Sequence, residues 1–232
     1  MILVVASIAD ALAPNLVSQF HGEAALLTSL DLSIEGTSLS FHSFDDGTLV
    51  AQGKEFPVRS ISGVVSLTGS FYPQELVQIS ASDREYVCRE MNAFMIWLLS
   101  QLRCPMLNRP SVNCFSGPMR KMEAWAALAR QADIPIAPLR RDNLGRTNPL
   151  LDKETKWEHV TIIGREFVGT ENEELRDYAT RLANCADLDL LSVVFSKDGS
   201  RGFEFRNASP FPDLSSENTL KAIPHFFKAT AL

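Results

Sequence analysis

Four cysteines and four histidines are the residues best suited to metal or nucleophile chemistry, and their spacing points away from both. Cys88, Cys104, Cys114 and Cys185 show no pair spacing typical of zinc or redox sites. They read as small buried or half-buried thiols. His21, His42, His159 and His225 are scattered and single, so no metal site is expected from them. No Gly-x-Gly-x-x-Gly follows the first apolar run, and a dinucleotide loop is therefore not expected. Asn207-Ala208-Ser209 matches a glycosylation acceptor, a modification that requires secretion. The remaining polar groups are placed singly. Such groups hold a ligand only if the fold gathers them.

At 232 residues, 45% hydrophobic and 22% charged, the chain has room for one large α/β domain or two small ones. A formal charge of −6 argues against broad contact with nucleic-acid phosphates or anionic lipid. No apolar run approaches the roughly 20 residues of a membrane span. Residues 1–13 look superficially like a signal peptide, but they lack a basic start and Asp10 interrupts them. They read better as a buried strand, and a cytoplasmic protein is expected.

The elements that must position the polar groups follow from periodicity. Residues 2–6 are continuously apolar, as in a central parallel strand. A helical pattern with Pro14 in its first turn covers 10–20, and 24–27 is a second short strand. Residues 39–44 alternate, Asp45-Asp46-Gly47 signals a hairpin turn, and 49–52 returns, which predicts a two-stranded excursion. Residues 61–67 re-enter the core, and 69–73 form a loop. Ser82 with Glu85 predicts a capping box, after which Val87, Met91, Phe94, Met95, Leu98 and Leu102 trace an amphipathic helix. Cys104-Pro105 ends it. Pro118 fits the first position of a second helix with Met119, Met122, Trp125, Leu128 and Ala132 on its apolar face, followed by the strand Ile134-Pro135-Ile136-Ala137-Pro138. Beyond a polar, locally basic stretch at 140–149, the pattern reads strand 159–163, Gly164, Phe167-Val168, and helix 171–186. Strands 188–195 and 202–206 follow, joined at Lys197-Asp198-Gly199-Ser200, and a last helix covers 216–228.

The order "helix, Leu107-Asn108-Arg109-Pro110, loop, helix, Ile134-Pro135-x-x-Pro138" resembles the run linking the first two domains of ATP-grasp ligases. The nearest types are the ribosomal-protein glutamate ligases and the ligases that cross-link ribosomal peptides. "Strand, Gly, helix, strand, Asp-Gly turn, strand, Asn207-x-x-Pro210" resembles the C-terminal half of the same core. The resemblance implies an α/β chain with a Rossmann-like N-terminal domain, 1–105, and a truncated ATP-grasp-like α+β domain, 106–232. It also implies an asparagine at a strand end (Asn108, beside Arg109), a lysine near the second helix start that contacts ATP (Lys121), and a closing Glu-x-Asn pair that binds magnesium. The first domain would carry part of the substrate site, at Thr68, Ser70 and Tyr72.

Three departures from that pattern bear on function. The family places a lid of about a hundred residues before the 159–163 strand, whereas 139–158 offers about twenty, with the lone Gly145 and no alternating strands. Val194 stands where the family has a metal-binding aspartate, and Phe205 where it has the glutamate. Glu204 is one place off, and strand alternation would turn it to the opposite face unless a bulge rotates it back. Arg206 between them would repel a metal ion. Lys121 lies near the expected lysine, although the spacing suits Met122 better. Phosphoryl transfer rests on metal charge and positioned cations. The expected function is therefore a non-catalytic binding or partner protein in a biosynthetic or peptide-modifying pathway, with no cofactor. The alternative is a minimal carboxylate-amine ligase that uses ATP and magnesium through Lys121, Glu204 and Asn207. Val194, Phe203 and Phe205, bare without a lid, are expected to be covered by 139–158, through Leu150, Leu151 and Trp157, by the last helix, or by a partner enzyme, a peptide or a second copy of the chain.

Overall fold

A computed structural model describes residues 1–40, 42–141, 147–149, 156–197 and 202–230. In chain order the elements are β1 (Ile2–Val5), α1 (Ala13–Ser18), β2 (Ala24–Leu27), β3 (Thr48–Ala51), β4 (Lys54–Pro57), β5 (Gly63–Ser66), α2 (Arg84–Gln101) and β6 (Met106–Leu107). They continue with α3 (Met122–Gln131), β7 (Leu139–Arg141), β8 (Thr147–Pro149), β9 (Lys156–Ile163), β10 (Glu166–Val168), α4 (Glu173–Ala186), β11 (Leu190–Lys197), β12 (Phe203–Ser209) and α5 (Glu217–Thr230). Two compact units result: Met1–Pro118 together with Leu214–Leu232, and Met119–Asp213. The sequence reading divides the chain at 105/106. The structure divides it after Pro118 and returns α5 to the first unit.

The first unit is built on a parallel sheet ordered β2-β1-β5-β6. Val4 pairs with Leu26 on one side and Val65 on the other, so the two most apolar runs of the N-terminal half are neighbours. Strands buried on both faces need this composition. Leu3, Val5, Val64, Met95, Leu98 and Leu99 form one core, and Val87, Met91 and Phe94 pack against it. The capping box at Ser82 does not form: Asp83 is the N-cap without a side-chain bond, and the Ser82 hydroxyl donates to Asp83 Oδ1 at 3.0 Å.

The two-stranded excursion exists, but its turn lies elsewhere. β3 pairs with β4, with Ala51 opposite Lys54, and the chain reverses at Gln52 and Gly53, whose φ angles are 51° and 68°. Both residues left-handed is the backbone a two-residue turn requires when its twist must match the strands. The Asp45-Asp46-Gly47 signal instead ends a short 3₁₀ turn, Phe44–Asp46, and among the described residues of 39–44 no strand forms, while Ser38 just before them bridges to Thr48. In α5 the Phe227 ring lies over Gly63, where a Cβ would stand 2.5 Å from Phe227 Cδ1.

The second unit carries an antiparallel sheet ordered β10-β9-β11-β12. Helices α3 and α4 cover one face: Trp125, Ala129, Leu175, Ala179 and Leu182 share a core with Val160, Val193, Phe195, Phe203 and Phe205. The phenylalanines are thus buried against α3 and α4 within their own unit. The α3 helix begins at Met122, four residues after Pro118, and Met119 is 60% exposed. The run at 134–138 is extended and meets β12 through one parallel bridge, Ile136 to Phe205. Residues 139–149 are not free of paired strands, as β7 and β8 form a two-stranded antiparallel sheet. Leu150, Leu151 and the turn residues 198–200 lie outside the described residues, and Trp157, the second residue of β9, is 43% exposed.

Candidate functional site

In the first unit the chain leaves β1 toward β2 on one side and returns to β5 on the other, so loops diverge at the carboxyl ends of β1 and β5. Open parallel sheets place ligands at this position. The 68–72 loop is largely occupied with itself: Thr68 Oγ1 donates to Ser70 O at 2.8 Å, and Phe71 N donates to Asn92 Oδ1 at 2.8 Å. Tyr72 is 55% exposed. Asn108, at the end of β6, is buried with φ 64°, and its amide faces Ser116 O at 3.5 Å. Arg109 points back to the end of α2, where Nη1 donates to Leu102 O at 2.9 Å and Nη2 to Cys104 O at 3.1 Å. A helix leaves its last carbonyls without partners, and this guanidinium supplies one to the C-cap Leu102 while holding the chain that follows at Cys104.

Sequence reasoning missed a third feature of this end. Glu75 is buried, and its carboxylate accepts from Ser7 Oγ and from Ser29 Oγ, each at 3.0 Å. The donors come from the ends of β1 and β2, 68 and 46 residues away in sequence, so no local pattern announces them. Burial raises the Cys88 thiol above its usual pKa, and the Glu75 charge adds to that. Burial likewise raises Cys104 and Cys114, whereas Cys185 is exposed.

The second unit puts Glu204 and Asn207 on one face of a sheet, with Asn207 Oδ1 accepting from Ala208 N at 2.9 Å. Val194 pairs with Asn207, while Phe195 pairs with Phe205, which leaves Arg206 as an extra residue in a β-bulge. Directly paired residues share a face of a sheet. Phe195 and Phe205 face α3 and α4, so Val194, Asn207, Ser196 and Glu204 occupy the other face. Trp157 and His159, paired with Ser196 and Val194, join them. The alternation argument that put Glu204 opposite Asn207 is corrected by the bulge: one extra residue restores the phase. Lys121 is not part of this group. It is the exposed N-cap of α3, on the helical side of the sheet, and its carbonyl accepts from Ala124 N and Trp125 N. Its neighbour Arg120 is the engaged cation, stacked 5.2 Å from the Trp125 ring with Nη2 donating to Ala186 O at 3.2 Å.

The residues on the face away from α3 and α4 do not fit magnesium. A hard divalent ion wants carboxylate oxygens around it, but Val194 stands across from Asn207 and Ser196 across from Glu204. Among the described residues the carboxylate at this place is Glu204, and it already has a cation: Arg206 Nη2 lies 3.8 Å from Glu204 Oε2, and Arg206 Nε donates to Ser196 Oγ at 2.5 Å. The guanidinium also sits 6.0 Å from the Trp157 ring centroid. Arg206 is 5% exposed and Glu204 8%. Two unit charges 4 Å apart interact by about 4 kcal/mol at an effective dielectric of 20, and a divalent ion doubles the repulsion. Among the described residues no cluster of three or more His, Cys, Asp or Glu could hold a metal ion, and no helix is long and apolar enough to cross a membrane.

No protein-family model and no curated protein matches the chain. Solved structures do. The macrocyclase MdnC bound with precursor peptide MdnA, from Microcystis aeruginosa MRC, aligns with a TM-score of 0.74 at 10% identity, over 99% of each chain. A RiPP-associated ATP-grasp ligase of Chryseobacterium gregarium, in complex with ADP and a leader and core peptide, gives 0.70 at 11% identity, over 100% of this chain and 97% of that one. A RimK domain ATP-grasp protein of Sphaerobacter thermophilus DSM 20745 gives 0.57 at 12%, over 98% and 99%. At such identities the likeness is one of architecture, and the architecture of this chain is the ATP-grasp fold.

Proposed function

We infer that this chain acts as a binding partner in peptide-modifying biosynthesis and does not itself run a metal-dependent ligation. The observation that carries the reading is the buried Arg206 guanidinium against Glu204, on the sheet face away from α3 and α4. Joining a carboxylate to an amine through an acyl phosphate needs cationic charge on the transferring phosphoryl group, mostly from metal. Peptide is the ligand class supported by the neighbours, since MdnC was solved with a precursor peptide and the Chryseobacterium ligase with a leader and core peptide. The self-association expected from bare phenylalanines loses its motive, because α3 and α4 already cover Phe203 and Phe205.

One observation favours a second reading, a minimal ligase with ATP and magnesium: the bulge does place Glu204 and Asn207 on one face. Calorimetric titration with ATP and magnesium separates the two. The expected outcome is no binding heat. Micromolar affinity, about −8 kcal/mol, would overturn the first reading and favour the second. The precursor peptide MdnA, with which MdnC was solved, is the first probe for the peptide arm, read by fluorescence anisotropy.

A further inference from the structure

A cleft of about 620 Å³ lies at the amino ends of the parallel strands in the first unit, between the end of α1 and the side of α5. It is at the opposite end of the sheet from the Glu75 carboxylate and its serine donors. Its size falls in the roughly 300–1,000 Å³ range of small-molecule sites. The floor is apolar: Ile2 is 7% exposed, Phe20 and Phe227 are each 6%, and Pro224 is buried as well. The Phe20 and Phe227 rings stand 6.1 Å apart and are tilted by 55°. Rings set at such an angle offer both an edge and a face to a third. The rim carries charge. Glu23 stands just before β2 and Lys228 in the last turn of α5, and both are exposed. The Glu23 backbone is held from two sides: its N–H donates to Phe20 O at 2.9 Å, and its carbonyl accepts from Ile2 N at 2.7 Å. Among the described residues, neither its carboxylate nor the Lys228 ammonium makes an ion pair or a side-chain hydrogen bond. The Met1 nitrogen, which also lines the cleft, is already engaged with Ser60 O at 2.7 Å and Ser62 Oγ at 3.0 Å.

We propose that this cleft binds an aromatic α-amino acid as its zwitterion, with the ring against Phe20 and Phe227, the ammonium toward Glu23 and the carboxylate toward Lys228. Each part of that ligand answers a feature the fold leaves unmatched. A wholly apolar occupant would use neither charge, and an aromatic carboxylate without an amine would bring a like charge to Glu23. Exposed charge pairs are weak, so the ring supplies most of the affinity and the two charges supply the selection. The site takes all its residues from the first unit and does not depend on whether the chain handles ATP.

Saturation-transfer NMR on the full chain at neutral pH reads ligands of this kind. L-phenylalanine is expected to bind saturably, and L-alanine, with the same charges and no ring, to give no signal. N-acetyl-L-phenylalanine keeps the carboxylate without the ammonium, and L-phenylalanine amide keeps the ammonium without the carboxylate. Each should bind about threefold more weakly than L-phenylalanine, the scale of one exposed charge pair. Glu23→Gln should weaken L-phenylalanine and its amide by about threefold and leave the N-acetyl compound unchanged. Lys228→Gln should weaken L-phenylalanine and the N-acetyl compound and leave the amide unchanged. Both substitutions fall at exposed positions, where the fold tolerates them. Absence of saturable L-phenylalanine binding would overturn the proposal, as would L-alanine binding equally well. So would an N-acetyl compound bound as tightly as L-phenylalanine, or two variants that fail to tell the derivatives apart.

Discussion

Val194 lies directly across from Asn207, while one step along the ladder Phe195 lies across from Phe205 rather than Arg206. That offset of one residue sorts β12 into a face under α3 and α4 and a face turned away from them. It sends both phenylalanines under α3 and α4 and leaves Glu204 and Asn207 on the same side.

The Glu204–Arg206 pair should show strong coupling. Both groups are nearly buried, so removing one partner strands the other charge. Arg206→Met is expected to cost about 3 kcal/mol of stability. Arg206→Met combined with Glu204→Gln should cost clearly less than the sum of the single changes. A double-mutant cycle in urea measures this, and additive costs would contradict the pairing.

Arg109 should behave as a helix-end clamp. Its guanidinium spans two carbonyls, Leu102 O and Cys104 O, and a lysine reaches only one. Arg109→Ala is expected to lower stability by about 1 kcal/mol, with Arg109→Lys in between. Stability unchanged by Arg109→Ala, alongside weakened binding of a peptide client, would assign the residue to the ligand instead.

Gly63 should resist enlargement. A Cβ there would stand 2.5 Å from Phe227 Cδ1 and 2.7 Å from Ile2 Cδ1. Gly63→Ala is expected to cost about 1–3 kcal/mol through overpacking, and Phe227→Leu added to it should recover part of the loss. Thermal melts of the three variants check it, and a Gly63→Ala chain as stable as its parent would mean that α5 seats elsewhere.

The cysteines should differ in reactivity. Burial holds Cys88, Cys104 and Cys114 above the ordinary thiol pKa, so at any given pH a smaller fraction is thiolate, the reactive form. Cys185 is exposed. Alkylation near neutral pH, followed by peptide mass analysis, is expected to label Cys185 first and all four only in denaturant. On the stability side, the raised thiols contribute fully below their unfolded pKa, and that contribution is lost as pH rises through the folded values. Alkaline titration of the folded chain should therefore weaken it.

Much of the fold is legible in the sequence because it rests on local periodicity. The continuous apolar runs that become β1, β2 and β5, the stripe of α2 and the face of α4 each declare themselves within a dozen residues. The order of those elements is enough to suggest the ATP-grasp architecture that the solved structures bear out. Turn positions are less legible: Asp45-Asp46-Gly47 has the composition of a hairpin turn, yet β3 and β4 reverse at Gln52 and Gly53, where pairing can begin at once. Tertiary structure alone decided the face of Glu204. A strand's alternation is set by its pairing, and one unpaired residue, invisible in a single sequence, reverses the phase of all that precedes it. The same holds for Glu75, whose hydroxyl donors meet only when β1 and β2 lie side by side. Composition and spacing determine which elements form; which polar groups they bring together depends on register, a long-range property of the folded sheet.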